Sequence, residues 1–348
     1  MRIAITVDPI IPVPPRVYGG IERIVDFLTR GLVARGHEVT LIAHPESRTG
    51  GKLIPYGTPP HFGAGPRASE LRAVGGILWR MRNDLDVVHS FGRLAALMPV
   101  LPLHGLAKIQ SYQRRIVPWR SVRIATILGG KSMTFTGCST SVYQPNGKAP
   151  PAGSWTTVFN GVELDRYAFV ESVPADAPLA FLGRLESIKG VHNAIRIARA
   201  AGRKLIIAGN RVDSGEAAEY FERDIAPALR DGEIEYIGPV DDVQKNELLG
   251  KSAALLMPVE WDEPFGIVMA ESLACGTPVI GFARGSIPEV IREGVNGFVV
   301  RDCDQAVKAV ARLDRISRSA TRADCEARFS DSVIVGRYED IYERMAGA

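Results

Sequence analysis

Short β-rich apolar runs, most of them apolar throughout rather than on alternate residues, recur along this chain between segments of helical periodicity. A strand with one wet face alternates apolar and polar residues. A strand covered on both faces does not. The runs fall at residues 3–7, 39–43, 85–89, 133–137 and 157–159. A second series falls at 180–183, 204–208, 234–237, 253–257 and 278–282. They predict parallel sheets covered by helices. Between the first two runs, Ile21, Ile24, Val25, Leu28, Leu32 and Val33 recur at helical spacing, and Gly36 stops that helix. Strand, helix and strand then form one βαβ unit.

The alternation breaks at residues 160–177. Asn160-Gly161 is a turn dipeptide, and residues 170–178 are rich in proline, acidic and small residues. This predicts a linker and two α/β domains, residues 1–165 and 166–330. Val333, Val335, Tyr338, Ile341, Tyr342 and Met345 predict an amphipathic helix in 331–348 that packs back towards the first domain. The chain has 348 residues, enough for two cores, with 46% apolar and 23% charged residues. A formal charge of +3 supplies no field that points to nucleic acid. Cys138, Cys275, Cys303 and Cys325 form no CxxC pair and lack metal-ligand spacing, so a reduced, cytoplasmic chain is expected. The run at 3–7 is too short for a signal-peptide core. No apolar stretch approaches the roughly 20 residues that span a bilayer. Membrane contact is expected to be at most peripheral, at the inner face. The stretch 50–66, rich in Gly and Pro, reads as a long loop bordering a cleft.

In open parallel sheets, ligands bind beyond the carboxyl ends of the strands. The loops there carry three constellations. The first is Glu263-Pro264-Phe265-Gly266-Ile267, before a helix that carries Glu271 and ends at Gly276. Eight helical positions span roughly 12 Å, so two carboxylates could meet opposite ends of an extended ligand. The amides of Phe265, Gly266 and Ile267 at the helix start could meet anions or hydroxyls. The plain alternative is two solvated glutamates. The second constellation is Gly183-Arg184, followed by Lys189-Gly190, between a strand and a helix. Arg184 offers a fork and Lys189 a point charge to a diphosphate, and the flanking glycines favour close backbone approach. Two surface cations are the alternative. The third is Val17-Tyr18-Gly19-Gly20, where paired glycines precede a helix. It is not a GxGxxG, which disfavours a nicotinamide enzyme.

Together these segments, with Arg35-Gly36-His37-Glu38-Val39, Asp86-Val87-Val88-His89 and Asn160-Gly161-Val162, resemble the family 4 glycosyltransferases. Those are retaining enzymes of the GT-B fold, in which two Rossmann-like domains with parallel sheets face each other across a cleft. The resemblance covers nearly the whole chain. It implies transfer of a hexosyl unit from a nucleoside-diphosphate sugar, UDP first among the carriers. It implies that Glu263 binds the sugar hydroxyls, Glu271 the ribose hydroxyls, and Arg184 and Lys189 the diphosphate. Gly19, Gly20 and Gly183 would admit the donor, and the amides of Phe265, Gly266 and Ile267 would contact its sugar. No metal or other cofactor is implied, since the cations do its work.

The family pattern often places a His after the strand that follows Asp-Val-Val-His. Here Gln113 stands at that position, between Tyr112 and Arg114. His89, Tyr112, Gln113 and Arg114 are the candidate contacts to the sugar or the acceptor. The acceptor is expected to be a small molecule, a glycan or a lipid-linked hydroxyl. Gln113-Arg114-Arg115, Trp119-Arg120 and Arg123 form a basic, aromatic stretch suited to an anionic acceptor or a membrane surface, or simply to water. Two other readings remain at this level. One is a nucleotide-sugar hydrolase or epimerase. The other is a silent nucleotide-sugar-binding protein, which the absence of that His keeps open.

Overall fold

A computed structural model describes residues 1–348 except 17–18, 58–67, 145–146, 231 and 348. The chain divides into two units, Met1–Gly161 with Asp331–Ala348, and Val162–Ser330. The division thus precedes the expected boundary at 165/166.

In the first unit the elements run β1 (Arg2–Thr6), α1 (Gly20–Ala34), β2 (Glu38–Ala43), β3 (Lys52–Pro55), α2 (Ala68–Met81) and β4 (Val87–Ser90). Then come β5 (Ala107–Tyr112), α3 (Trp119–Gly129), β6 (Met133–Gly137), α4 (Thr140–Tyr143) and β7 (Trp155–Thr157). The described residues form a seven-stranded sheet in the order β3-β2-β1-β4-β5-β6-β7. Every pairing is parallel. Ile3, Ile5, Ile24 and Leu28 lie in its core.

In the second unit the elements run β8 (Leu179–Leu182), α5 (Val191–Ala200), β9 (Leu205–Ala208), α6 (Gly215–Tyr220), β10 (Ile234–Tyr236), α7 (Asp242–Lys251) and β11 (Ala254–Met257). Then come α8 (Ile267–Ala274), β12 (Val279–Phe282), α9 (Ile287–Val290), β13 (Gly297–Val300), α10 (Cys303–Val310) and α11 (Arg318–Phe329). Its described strands form a six-stranded sheet, β10-β9-β8-β11-β12-β13, again parallel. Leu179, Phe181, Leu205, Ile207 and Leu256 pack with α5 and α10 in one core. Asp241 caps α7 through a reciprocal pair with Gln244, a structural use of that acid.

After Ser330 the chain returns to the first unit as α12 (Asp331–Ala346). Tyr338 and Tyr342 on this helix are among the largest fully buried side chains. Glu339 accepts from Arg35 Nη1 at 2.5 Å and lies 2.7 Å from His37 Nε2, tying α12 to the end of α1.

Several expectations need correction. Residues 162–178, which follow the change of unit, are tied to the second unit. The Val162 amide donates to Phe329 O at 2.8 Å, the Val170 amide donates to Cys275 O at 3.1 Å, and Arg318 Nε donates to Val170 O at 2.7 Å. The expected loop at 50–66 begins with the edge strand β3, and most of its remainder, 58–67, lies outside the described residues. The strand expected at 157–159 sits earlier, as β7. β5 and β13 were not among the apolar runs. Lys108, Gln110 and Ser111 break the apolar pattern of β5, yet all three are buried. β13 is only Gly297–Val300.

Candidate functional site

In each unit the strand order reverses beside its first strand, at β1/β4 and at β8/β11. Loops leaving two adjacent parallel strands there run to opposite sides and open a crevice. Each of these two places holds an acid–base pair.

In the second unit, β8 leads through Gly183 and Arg184 to a single helical turn, Ser187–Lys189, and then into α5. β11 leads through residues 258–266 to α8. Because β8 pairs with β11, the two loops meet. The Glu260 amide donates to Ile188 O at 2.9 Å. Gly190 has φ +75°, and a Cβ there would stand 1.9 Å from Pro258 O, so only glycine allows this contact. Lys189 Nζ donates to Glu263 Oε2 at 2.6 Å. Trp261 Nε1 donates to the same oxygen at 3.0 Å, and Lys189 Nζ lies 4.6 Å from the Trp261 ring centre. Glu263 is only 7% exposed.

Behind it, Gly285 with φ +57° would place a Cβ 2.3 Å from Glu263 O. The Ser286 amide donates to that carbonyl at 2.9 Å, and Ser286 Oγ donates to Phe265 O at 3.0 Å. The backbone carrying Glu263 is therefore clamped. Gly266 precedes α8 with φ +70°, and Ile267 is its first residue. The helix is shorter than expected, so Glu263 and Glu271 are not joined by one continuous helix. Glu271, also 7% exposed, accepts from Tyr167 Oη at 2.8 Å and Lys245 Nζ at 2.6 Å, both on Oε1. Two solvated glutamates are thus excluded: each is buried and joined to a lysine. Arg184 is half exposed, 2.6 Å from Glu186.

Within the protein itself nothing crowds Gly183. A Cβ on it would come no nearer than 3.8 Å to Phe181. The close approach is made by Gly209, φ +145°, whose Cβ would strike Gly183 O at 1.7 Å. Tyr167, Lys245, Trp261, Gly209 and Gly285 were missed by sequence reasoning. Trp261 lies two residues before the Glu263–Ile267 segment. Lys245 sits on a polar helix with no motif to mark it.

In the first unit, Asp8 follows β1 and Gly92-Arg93 follows β4. The Arg93 amide donates to Asp8 Oδ1 at 3.2 Å, and a Cβ on Gly92 would stand 2.7 Å from that oxygen. Glu22, in the first turn of α1, is buried. Burial pushes both carboxyls upward. Arg93 and then Arg114 oppose this at Asp8, and the backbone amide of Glu22 and then Arg114 oppose it at Glu22. The exposed Arg114 therefore sits within the field of two acids. A Cβ on Gly19 would meet Glu22 Oε2 at 2.8 Å and Pro15 Cβ at 2.7 Å, and Gly20 opens α1. Val17 and Tyr18 lie outside the described residues.

Among the described residues, the Tyr112 hydroxyl and both amide atoms of Gln113 are buried and meet no hydrogen-bond partner. Buried polar atoms are normally paired, so this corner suits a polar ligand. Burial also raises the Tyr112 hydroxyl, which stays protonated and can donate. His89 is corrected. Its ring is 0% exposed, with Nδ1 2.6 Å from Tyr342 Oη and Nε2 2.6 Å from Ser111 Oγ. Burial pushes it down to about 3, so it is a neutral pin joining β4, β5 and α12 and cannot touch a sugar or acceptor. Among the described residues no group of three His, Cys, Asp or Glu is placed to hold a metal ion, and no helix is long and apolar enough to cross a membrane.

The chain matches the family model described as "Glycosyl transferases group 1" over residues 170–328, and "Glycosyltransferase Family 4" over 18–125. It is 28% identical to a glycogen synthase of Mycobacterium tuberculosis, covering 86% of this chain and 82% of that one. AviGT4, a glycosyltransferase involved in avilamycin A biosynthesis, is 25% identical with a TM-score of 0.72, covering 100% of this chain and 99% of that one. HepE of Anabaena, solved with UDP-glucose, shares the fold with a TM-score of 0.71 at 16% identity, covering 99% of this chain and 100% of that one.

Proposed function

Because this chain belongs to the family 4 glycosyltransferases and has the GT-B fold, we propose that it moves a hexosyl unit from a UDP-sugar to an acceptor hydroxyl with retention at the anomeric carbon. The observation that carries this reading is the buried Lys189–Glu263–Trp261 cluster where the β8 and β11 loops meet. UDP is favoured as the carrier because HepE, of the same fold, was solved with UDP-glucose.

The residues divide the donor between them. Lys189 and Trp261 both hold Glu263 by Oε2, and we assign its Oε1 to the sugar hydroxyls. Tyr167 and Lys245 both hold Glu271 by Oε1, and we assign its Oε2 to the ribose hydroxyls. Arg184 and Lys189 meet the diphosphate. The amides of Phe265, Gly266 and Ile267 face the sugar.

In the reaction the bond from the anomeric carbon to the diphosphate oxygen breaks. A bond to the acceptor oxygen forms on the same face, and the acceptor's proton passes to the departing diphosphate. No protein carboxylate need become a nucleophile, unlike in retaining glycosidases. Catalysis then rests on holding the two reactants and on neutralising the leaving charge with two fixed cations, which replace a metal. Tyr112, Gln113 and Arg114 supply polar contacts in the first unit, where Gln113 can hydrogen-bond but carries no charge.

A thermal-shift screen of nucleoside diphosphates, then a panel of nucleotide sugars with acceptor mixtures, tests this. Arg184→Ala and Lys189→Ala are each expected to lower turnover by roughly 10²-fold or more while the fold survives. Wild-type transfer by either variant overturns the assignment. Free sugar as the sole product would make the protein a hydrolase.

A further inference from the structure

From Val87 to Val162 the chain contains no Asp or Glu, yet it contains eight Lys or Arg. All 39 acids of the chain fall in the other 272 residues, so a gap of 76 is a strong departure. In the middle of this stretch lies α3. It buries Val122, Ala125 and Gly129, one face at helical spacing. The opposite face carries Arg120, Arg123, Ile124, Ile127 and Leu128, all exposed. Ile124 is 50%, Ile127 72% and Leu128 38% exposed, and Ile116 just before the helix is 84% exposed. Four of the eleven exposed large apolar side chains among the described residues thus fall within residues 116–128. Lys131 continues the positive charge past the helix.

We propose that α3 and its flanks dock this protein on the surface of an anionic lipid bilayer. Charge complementarity selects this occupant. An anionic leaflet attracts the cations, and the acyl boundary just below it accepts the isoleucines. A second copy of the chain would set one cationic face against another. A nucleic acid would meet the guanidinium groups and leave the isoleucines in water. An element of about three turns supplies a modest anchor, so binding is expected to be reversible and salt-sensitive. Docking here goes beyond the transfer reaction and does not depend on it. It would confine the enzyme to acceptors presented at that surface.

Vesicle co-sedimentation of the full chain tests the proposal, using phosphatidylcholine alone and with about 30% phosphatidylglycerol. Wild type is expected to sediment with the anionic vesicles only, and to be released as salt rises from about 50 to 300 mM. Arg120→Gln with Arg123→Gln is expected to weaken partitioning roughly 30-fold. Ile124→Ser with Ile127→Ser is expected to weaken it at least about tenfold. Arg301→Gln with Lys308→Gln, on the second unit, should leave it unchanged. These are surface substitutions, and matching melting curves check that each variant is folded. Failure of wild type to bind anionic vesicles at low salt overturns the proposal. So does wild-type binding by the isoleucine variant, which would leave charge alone at work. A wild-type dimer that this variant converts to monomer also overturns it, because a second copy then covers the face.

Discussion

At the scale of single residues, glycines decide where Glu263 of the candidate site can stand. A Cβ on Gly285 would strike Glu263 backbone, and its φ of +57° adds a cost of about 1–2 kcal/mol for any other residue. Gly285→Ala is therefore expected to displace Glu263 and to raise the donor KM at least about tenfold, since a small misplacement of a substrate-positioning group can cost 10²-fold. Gly202→Ala is the control. Gly202 has φ +61° but nothing within 4 Å, so it should lose stability without losing donor affinity. Steady-state kinetics on both variants separates position from strain.

Lys108 is a second residue with a measurable signature. It is fully buried in β5, and its Nζ donates to Leu101 O at 3.0 Å and Leu103 O at 2.6 Å. Burial pushes it from 10.5 down to about 8. Below about 8 both folded and unfolded chains hold the proton, so its contribution is constant there. Above that, the folded chain releases a proton that the unfolded chain keeps until about 10.5, and the Lys108 contribution to stability rises with pH. Lys108→Met is expected to remove this rise. Urea unfolding at about pH 7.5 and 9.5, on wild type and variant, measures it.

At the scale of elements, legibility followed burial pattern. β1 and β2 are legible as nearly continuous apolar runs because both faces of their sheet are covered. β5 was hidden because its buried positions include Lys108, Gln110 and Ser111, paired with backbone or with other side chains of the same unit. The loops bearing Lys189 and Glu263 were legible because glycine and proline mark their turns. Their lysine–glutamate pairing was not, since it depends on β8 lying beside β11, a non-local fact. The Lys245–Glu271 pair escaped for the same reason.

His89 shows the opposite error, a residue that looks chemical and is structural. Its partner Tyr342 lies on α12, 253 positions away in sequence. Tyr342→Phe leaves a buried ring nitrogen without its partner, at a cost of about 1–3 kcal/mol. It is expected to lower the melting temperature by several degrees and leave nucleotide affinity unchanged. Differential scanning fluorimetry with and without nucleotide tests both halves.

At the scale of the whole molecule, the proposed site divides its residues between two units built on parallel sheets. The residues proposed to bind the donor, Arg184, Lys189, Glu263 and Glu271, all lie in Val162–Ser330, while Tyr112, Gln113 and Arg114 lie in the other unit. Saturating nucleoside diphosphate, at about 100 times Kd, stabilises the state that binds it by about 2.7 kcal/mol. Hydrogen exchange is therefore expected to slow at residues 183–191 and 258–268, with little change at 1–100. Equal protection across 1–100 would contradict the assignment of the nucleotide to the second unit.

The return of the chain through α12 also sets an order of events during synthesis. Residues 162–330 are contiguous, so the second unit is complete before α12 leaves the ribosome. The first unit is made earlier but must wait for Tyr338 and Tyr342 to fill its core. At roughly 5–20 residues per second, translation of the intervening segment takes on the order of 10–30 s. For that interval the nascent first sheet carries an unfilled apolar seat, the form in which a chaperone would meet it.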